Sequence, residues 1–245
     1  MKQKYATGLL GLLFITVGLI TVFAPGCKKD EQPVNDLGYG YFPTAIGRWV
    51  IYEVDSTVYD DFQNDTDVYR YQVKEFLESS FMDNEGRPSI RVERYKRWYN
   101  PNLPYDSIPW YLSRVWAFTK TNIGAEKLEE NQRFIRLVFG VSEGKTWDGN
   151  AYNTIGQWMY KYTAVDVPYS INSFSFDSTL VVEQKKEVNW LNHREYTERY
   201  ARNVGLIEKS IIDVSDDSVF VGIPVLNRIN SGVVCTIKLV DYGPR

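Results

Sequence analysis

Between Val68 and Leu77 the chain alternates, with Tyr69, Tyr71 and Val73 on one side and Arg70, Gln72 and Lys74 on the other. Successive side chains of an extended strand point to opposite faces, so a period of two predicts a strand with one buried face. An amphipathic helix needs a period of 3.6. The pattern returns in Leu112, Arg114, Trp116 and Phe118, and again in Trp158, Tyr160, Tyr162 and Ala164. No stretch after Gly40 shows a convincing helical period, so the core is expected to be built from sheet.

Turn-forming residues divide the rest into further runs of this kind. Strands are predicted over Ile46–Asp55, Ser89–Tyr99, Trp110–Thr119, Lys127–Phe139, Ser178–Lys186, Arg194–Ala201, Val204–Val214, Val219–Leu226 and Val233–Val240. Asn100 to Pro109 holds three prolines, which cannot donate to a ladder, and reads as a loop. Asp148-Gly149 carries the two-residue hairpin signal. About ten short strands with turns between them imply an all-β domain. The expected form is a single antiparallel, strongly curved sheet or barrel, because one face of a long sheet must curl to leave water. A two-sheet sandwich is the alternative. Ile46-Gly47-Arg48-Trp49 and Ile155-Gly156-Gln157-Trp158 hint at a duplicated half-sheet.

The N-terminal stretch has a different character. Lys2 and Lys4 precede an uncharged run from Tyr5 to Phe23, then Ala24-Pro25-Gly26-Cys27. A basic start, an apolar run and small residues form a secretory signal, and the run also approaches the length of a retained membrane anchor. Ala24 to Cys27 resembles the lipobox of bacterial lipoproteins, with Ala24 in place of the usual larger aliphatic. That resemblance implies cleavage before Cys27 and acylation, palmitate included, of its side chain and amine. Lys29-Asp30-Glu31 directly after it resembles the surface-export signal of Bacteroidota lipoproteins. The resulting organisation is a signal peptide over 1–26, a flexible tether over 27–40 and a β-rich domain over 41–245. Two acyl chains on Cys27 would satisfy the two-signal requirement for stable membrane anchoring.

Charge and residue counts exclude several classes. The net charge is −3, and loss of Lys2 and Lys4 with the leader takes it to −5. No basic run remains to bind nucleic acid. With Cys27 acylated, Cys235 has no disulfide partner and reads as a small buried hydrophobe. His193 is the single histidine and falls in a polar turn. One histidine and one thiol exclude a zinc site of His and Cys ligands. The aspartates cluster in loops, Asp60 to Asp67 and Asp213 to Asp217, without the spacing of a calcium loop. No cofactor and no metal is implied, and no catalytic residue stands out.

Trp98, Tyr99, Trp110 and Tyr111 flank the proline-rich loop and are the candidate ligand contacts, because aromatic faces stack on sugars and line apolar pockets. Ser56, Ser107, Ser178 and Ser218, each following an aspartate, resemble bacterial O-glycosylation positions. Tyr41-Phe42-Pro43 with Gly47-Arg48-Trp49, the Gly144 to Asn150 turn, and Tyr200-Ala201 with Val204 to Ile207 resemble segments of uncharacterised Bacteroidota outer-membrane lipoproteins. That resemblance implies a β-rich surface lipoprotein with a non-catalytic binding or assembly role. Its partners would be the membrane, through Cys27, and a glycan, peptide or protein outside the cell. A hydrolase of extracellular polymers and an apolar-ligand carrier, resembling the half-barrels that sort lipoproteins, are the alternatives.

Overall fold

The structure, a computed structural model, describes residues 36–63 and 65–244. Twelve strands account for most of them: β1 Trp49–Asp60, β2 Asp65–Met82, β3 Pro88–Trp98, β4 Tyr111–Lys120, β5 Gly124–Glu129, β6 Gln132–Val138, β7 Thr146–Asp148, β8 Met159–Ile171, β9 Phe174–Val188, β10 Asn192–Ala201, β11 Gly205–Ser215 and β12 Ser231–Gly243. All pair antiparallel in one sheet of order β6-β5-β4-β3-β2-β1-β12-β11-β10-β9-β8-β7. This is an up-and-down meander whose first and last strands lie side by side. The fold is therefore all-β with one curved sheet, and the two-sheet alternative does not apply.

The break in the ladder falls between β6 and β7, and the two edges meet there. Ile135 N donates to Gly149 O at 2.9 Å, and Trp147 Nε1 donates to Ile135 O at 2.9 Å. Tyr162 Oη accepts from Val138 N at 3.0 Å and donates to Val138 O at 2.9 Å. Side chains thus satisfy edge groups that would otherwise template a foreign strand, and the sheet is a nearly closed barrel.

Three local expectations are corrected. Lys127–Phe139 is not one strand: Glu130 and Asn131 both take positive φ, 47° and 64°, and fold it into the hairpin β5–β6. The turn was hidden because it lacks the glycine that normally signals this geometry. Asp148-Gly149 does not close a two-residue hairpin, since Asp148 pairs with Met159 across the loop 149–158. Gly149 is small for another reason: a Cβ there would sit 2.3 Å from the Tyr160 ring. Val219–Leu226 forms no strand but an open loop with a 3-10 turn at Val225–Asn227, where Gly222 and Pro224 interrupt any ladder.

Strand alternation gives the barrel two ends. At one, the segment from Asp36 crosses the opening and buries Tyr41 and Phe42 among Phe118, Leu180 and Tyr200. Tyr41 Oη donates to Asp166 at 2.6 Å, Arg202 bridges to Asp166 at 2.9 Å, and Gly140 N donates to Leu37 O at 2.8 Å. The compact unit accordingly begins at Asp36, so residues 36–40 pack on the barrel rather than continuing a tether. The other end carries the loops 99–110, 149–158 and 216–230.

Candidate functional site

Cross-strand partners share a face, so the register defines what points inward. Near the closed end the inner face is apolar: Leu77, Val92, Phe118, Tyr162, Leu180 and Val182 are buried in one cluster. One layer further along, the alternation that carries Tyr71 and Val73 inward also carries Glu75 inward, opposite Arg94 on β3. A twelve-stranded barrel is wider than apolar side chains alone can fill, and long charged side chains span the gap with their apolar stems packed on the wall.

These side chains form a continuous belt. Arg94 Nε lies 3.2 Å from Glu75, Lys127 Nζ lies 3.7 Å from Glu75 and 3.5 Å from Glu129, and Arg136 reaches Glu129 at 3.0 Å and Glu198 at 3.5 Å. Lys209 Nζ donates to Glu198 at 2.8 Å, and Tyr200 Oη donates to it at 2.5 Å. Arg94 also lies 3.8 Å over the Trp116 ring. Four cations therefore face three carboxylates. Burial pushes the Glu129 carboxyl up, but Arg136, then Lys127 and Lys209, outweigh it and bring it down to about 2. For Glu198 burial is likewise overcome, by Lys209 and Arg136, and its carboxyl is held well below the usual range. Both are ionised anions rather than proton donors. The space left within the belt is about 40 Å³.

Beyond the belt the inner wall opens into a groove of about 640 Å³ lined by Tyr71, Arg94, Lys96, Tyr111, Arg114 and Glu130, among others. Lys96 Nζ lies 3.7 Å over the Tyr71 ring and 3.4 Å over the Trp98 ring. Arg114 Nε donates to Glu130 on the β5–β6 turn at 2.9 Å.

The four predicted aromatic contacts divide between the two faces of the sheet. Trp98 pairs with Tyr71, and Tyr111 with Lys96, so both lie on the inner face at the groove. Tyr99 and Trp110 go to the outer face. There the Arg70 guanidinium covers Tyr99 at 4.8 Å, and that of Arg97 covers Trp110 at 4.3 Å. Arg97 is 8% exposed and donates to Gln72 Oε1 at 3.0 and 2.7 Å and to Tyr105 O at 2.6 Å, which pins the proline-rich loop to the outer wall.

The other singled-out residues scatter. His193 Nε2 lies 3.5 Å from Glu195, its hydrogen-bond partner among the described residues, beside Trp190 and the loop 216–230. Cys235 is half-buried opposite Ser56 on the inner face, and burial raises its thiol. Ser107 and Ser218 are exposed in loops, while the Ser178 hydroxyl is engaged with Tyr41 and Asp166, each at 2.7 Å. Asp60 and Asp216 cap local turns, at Gln63 N and Ser218 N. Among the described residues no group of three or more His, Cys, Asp or Glu side chains is arranged to hold a metal. Cys27, Lys29, Asp30 and Glu31 lie outside the described residues. Sequence reasoning missed the belt and Lys96. The one available signal was that Glu75, Arg94, Arg114 and Glu198 occupy the inward phase of their strands.

No protein-family model and no curated protein matches the chain. Among solved structures, the crystal structure of a candidate exported protein with a YmcC-like fold from Bacteroides fragilis aligns over 83% of this chain and 98% of its own, with a TM-score of 0.47 and 7% sequence identity.

Proposed function

We propose that this chain is an exported lipoprotein, acylated at Cys27, held at the outer membrane with its domain facing outward, and acting as a binding module through the open end of its barrel. One observation carries the reading: the two ends are built for different tasks. Asp36, the first described residue, is at the closed end, and the opposite end carries the long loops and the exposed aromatic side chains. Loops held on a rigid sheet are the usual place for recognition.

Two observations bear on the alternatives. An apolar ligand of the usual size needs roughly 300 Å³ or more, so it does not fit the spaces beside the belt and beneath Phe42, each about 40 Å³. A glycosidase acid needs a raised carboxyl, and Glu129 and Glu198, both lowered by the cations around them, are not suited to that one role.

Growth with labelled palmitate, followed by protease treatment of intact cells, tests the proposal. Label is expected on the natural chain and not on Cys27→Ala. Shaving is expected for the natural chain and not when Lys29, Asp30 and Glu31 are all alanine. An unlabelled natural chain overturns the anchor, and a labelled but protected one overturns the outward orientation.

A further inference from the structure

Around the groove Arg94, Lys96 and Arg114 stand against Glu75 and Glu130. A concave site with an excess of one sign of charge raises the local concentration of ligands of the opposite sign. The excess is localised. Arg94 has Glu75 and Arg114 has Glu130, but among the described residues Lys96 has no carboxylate partner and rests only against the Tyr71 and Trp98 rings. Burial, then repulsion from Arg94 and Arg114, lowers its pKa, so the site gains by receiving a negative charge.

We infer that this groove binds an acidic sugar, a pyranose ring bearing a carboxylate, as found in uronate-containing polysaccharides. The inference rests on the binding-module reading and names its ligand class. The carboxylate meets Lys96 and Arg114. Arg114 already holds a carboxylate, that of Glu130, whose side chain is 61% exposed on a turn and free to yield its place. The ring meets Tyr111, which lines the groove and is 44% exposed, with Trp98, 45% exposed, beside Lys96. A flat apolar face beside a cation suits a sugar that is apolar on its ring face and charged at one edge.

The test is calorimetric titration of the full-length protein in detergent with hexagalacturonate, its methyl ester and a polyphosphate of similar length. Hexagalacturonate is expected to bind, and the ester about tenfold more weakly or less, since a charge-assisted contact is lost. Lys96→Met is expected to weaken binding about tenfold and Lys96→Arg to restore most of it. Glu130→Gln, which removes the internal competitor, is expected to tighten it, a gain that a misfolded protein could not give. Equal affinity for acid and ester, or no effect of Lys96→Met, overturns the inference. Polyphosphate binding as tight as the hexamer overturns the sugar assignment and leaves a simple polyanion site. Failure of all three ligands overturns the inference alone, because palmitate labelling and shaving are read independently.

Discussion

At the end where Asp36 enters, the connections are short, Tyr41 and Phe42 fill the opening, and Leu77, Val92, Phe118 and Leu180 close the interior. At the opposite end the same strands run out into long loops, and Phe62, Leu103, Trp190, Phe220, Val221 and Ile223 face solvent. Between them lies the charged belt. The backbone ladder is continuous through all three zones, so the hydrogen-bonded scaffold does not distinguish the ends. The inward-facing side chains do: apolar groups pack and exclude water, paired ions fill a wider bore, and unpaired aromatics and cations leave a groove. A barrel plugged at one end and open at the other can be rigid and receptive together, because the packed end holds the ladder while the open end leaves room within it.

The comparison breaks most sharply at the belt. Glu198→Ala would strand Lys209 in the interior and leave Arg136 with Glu129 alone, and an uncompensated buried charge costs about 3–5 kcal/mol. Denaturant unfolding should show this loss, and a near-neutral result would mean that water reaches the belt. Acid probes the same zone. Glu129 and Glu198 have folded pKa values below 4.5, so the stability they contribute is complete above that pH and is lost as pH falls toward 2. Thermal unfolding between pH 5 and 2 is expected to fall more steeply for the natural chain than for a variant with Glu198 replaced. Parallel curves would remove the belt from the acid response.

The seam should respond less. Gly149→Ala places a methyl against the Tyr160 ring, and overpacking of this kind costs about 1–3 kcal/mol. Tyr162→Phe removes both bonds to Val138 and leaves an edge amide and carbonyl unmatched, a loss of about 1–2 kcal/mol. Hydrogen exchange at Val138 should speed up in that variant, and unchanged protection would mean that the ladder ends close without the hydroxyl. The smallest effect belongs to the open end: Trp190→Ala and Phe62→Ala should stay within about 0.5 kcal/mol of the natural stability, as exposed sites generally do. A larger loss would show that the loops brace the barrel.

Strand positions were legible where the sequence alternates over several residues, as in β2, β4 and β8, while the bulges that shift the phase, as at Ala164 in β8, were not. They were lost where a turn used residues that do not advertise one, as at Glu130 and Asn131, or where an apolar run had no neighbour to pair with, as in Val219–Leu226. The aromatic pair Trp98 and Tyr99 was visible, but not the company each would keep, Lys96 and Tyr71 around Trp98 and Arg70 over Tyr99.

Local chemistry determined what could be read directly: an all-β chain, a curved single sheet, loops where the prolines lie, and the resemblance of Cys27 to a lipidated cysteine. These depend on neighbouring residues, through side-chain period and φ restrictions. The tertiary structure alone decided that β1 meets β12, that the seam falls at β6 and β7, and that Glu75, Glu129 and Glu198 share one belt with four cations. Those contacts join strands far apart in the chain, and a single residue's identity does not encode the register that brings them within 4 Å of one another.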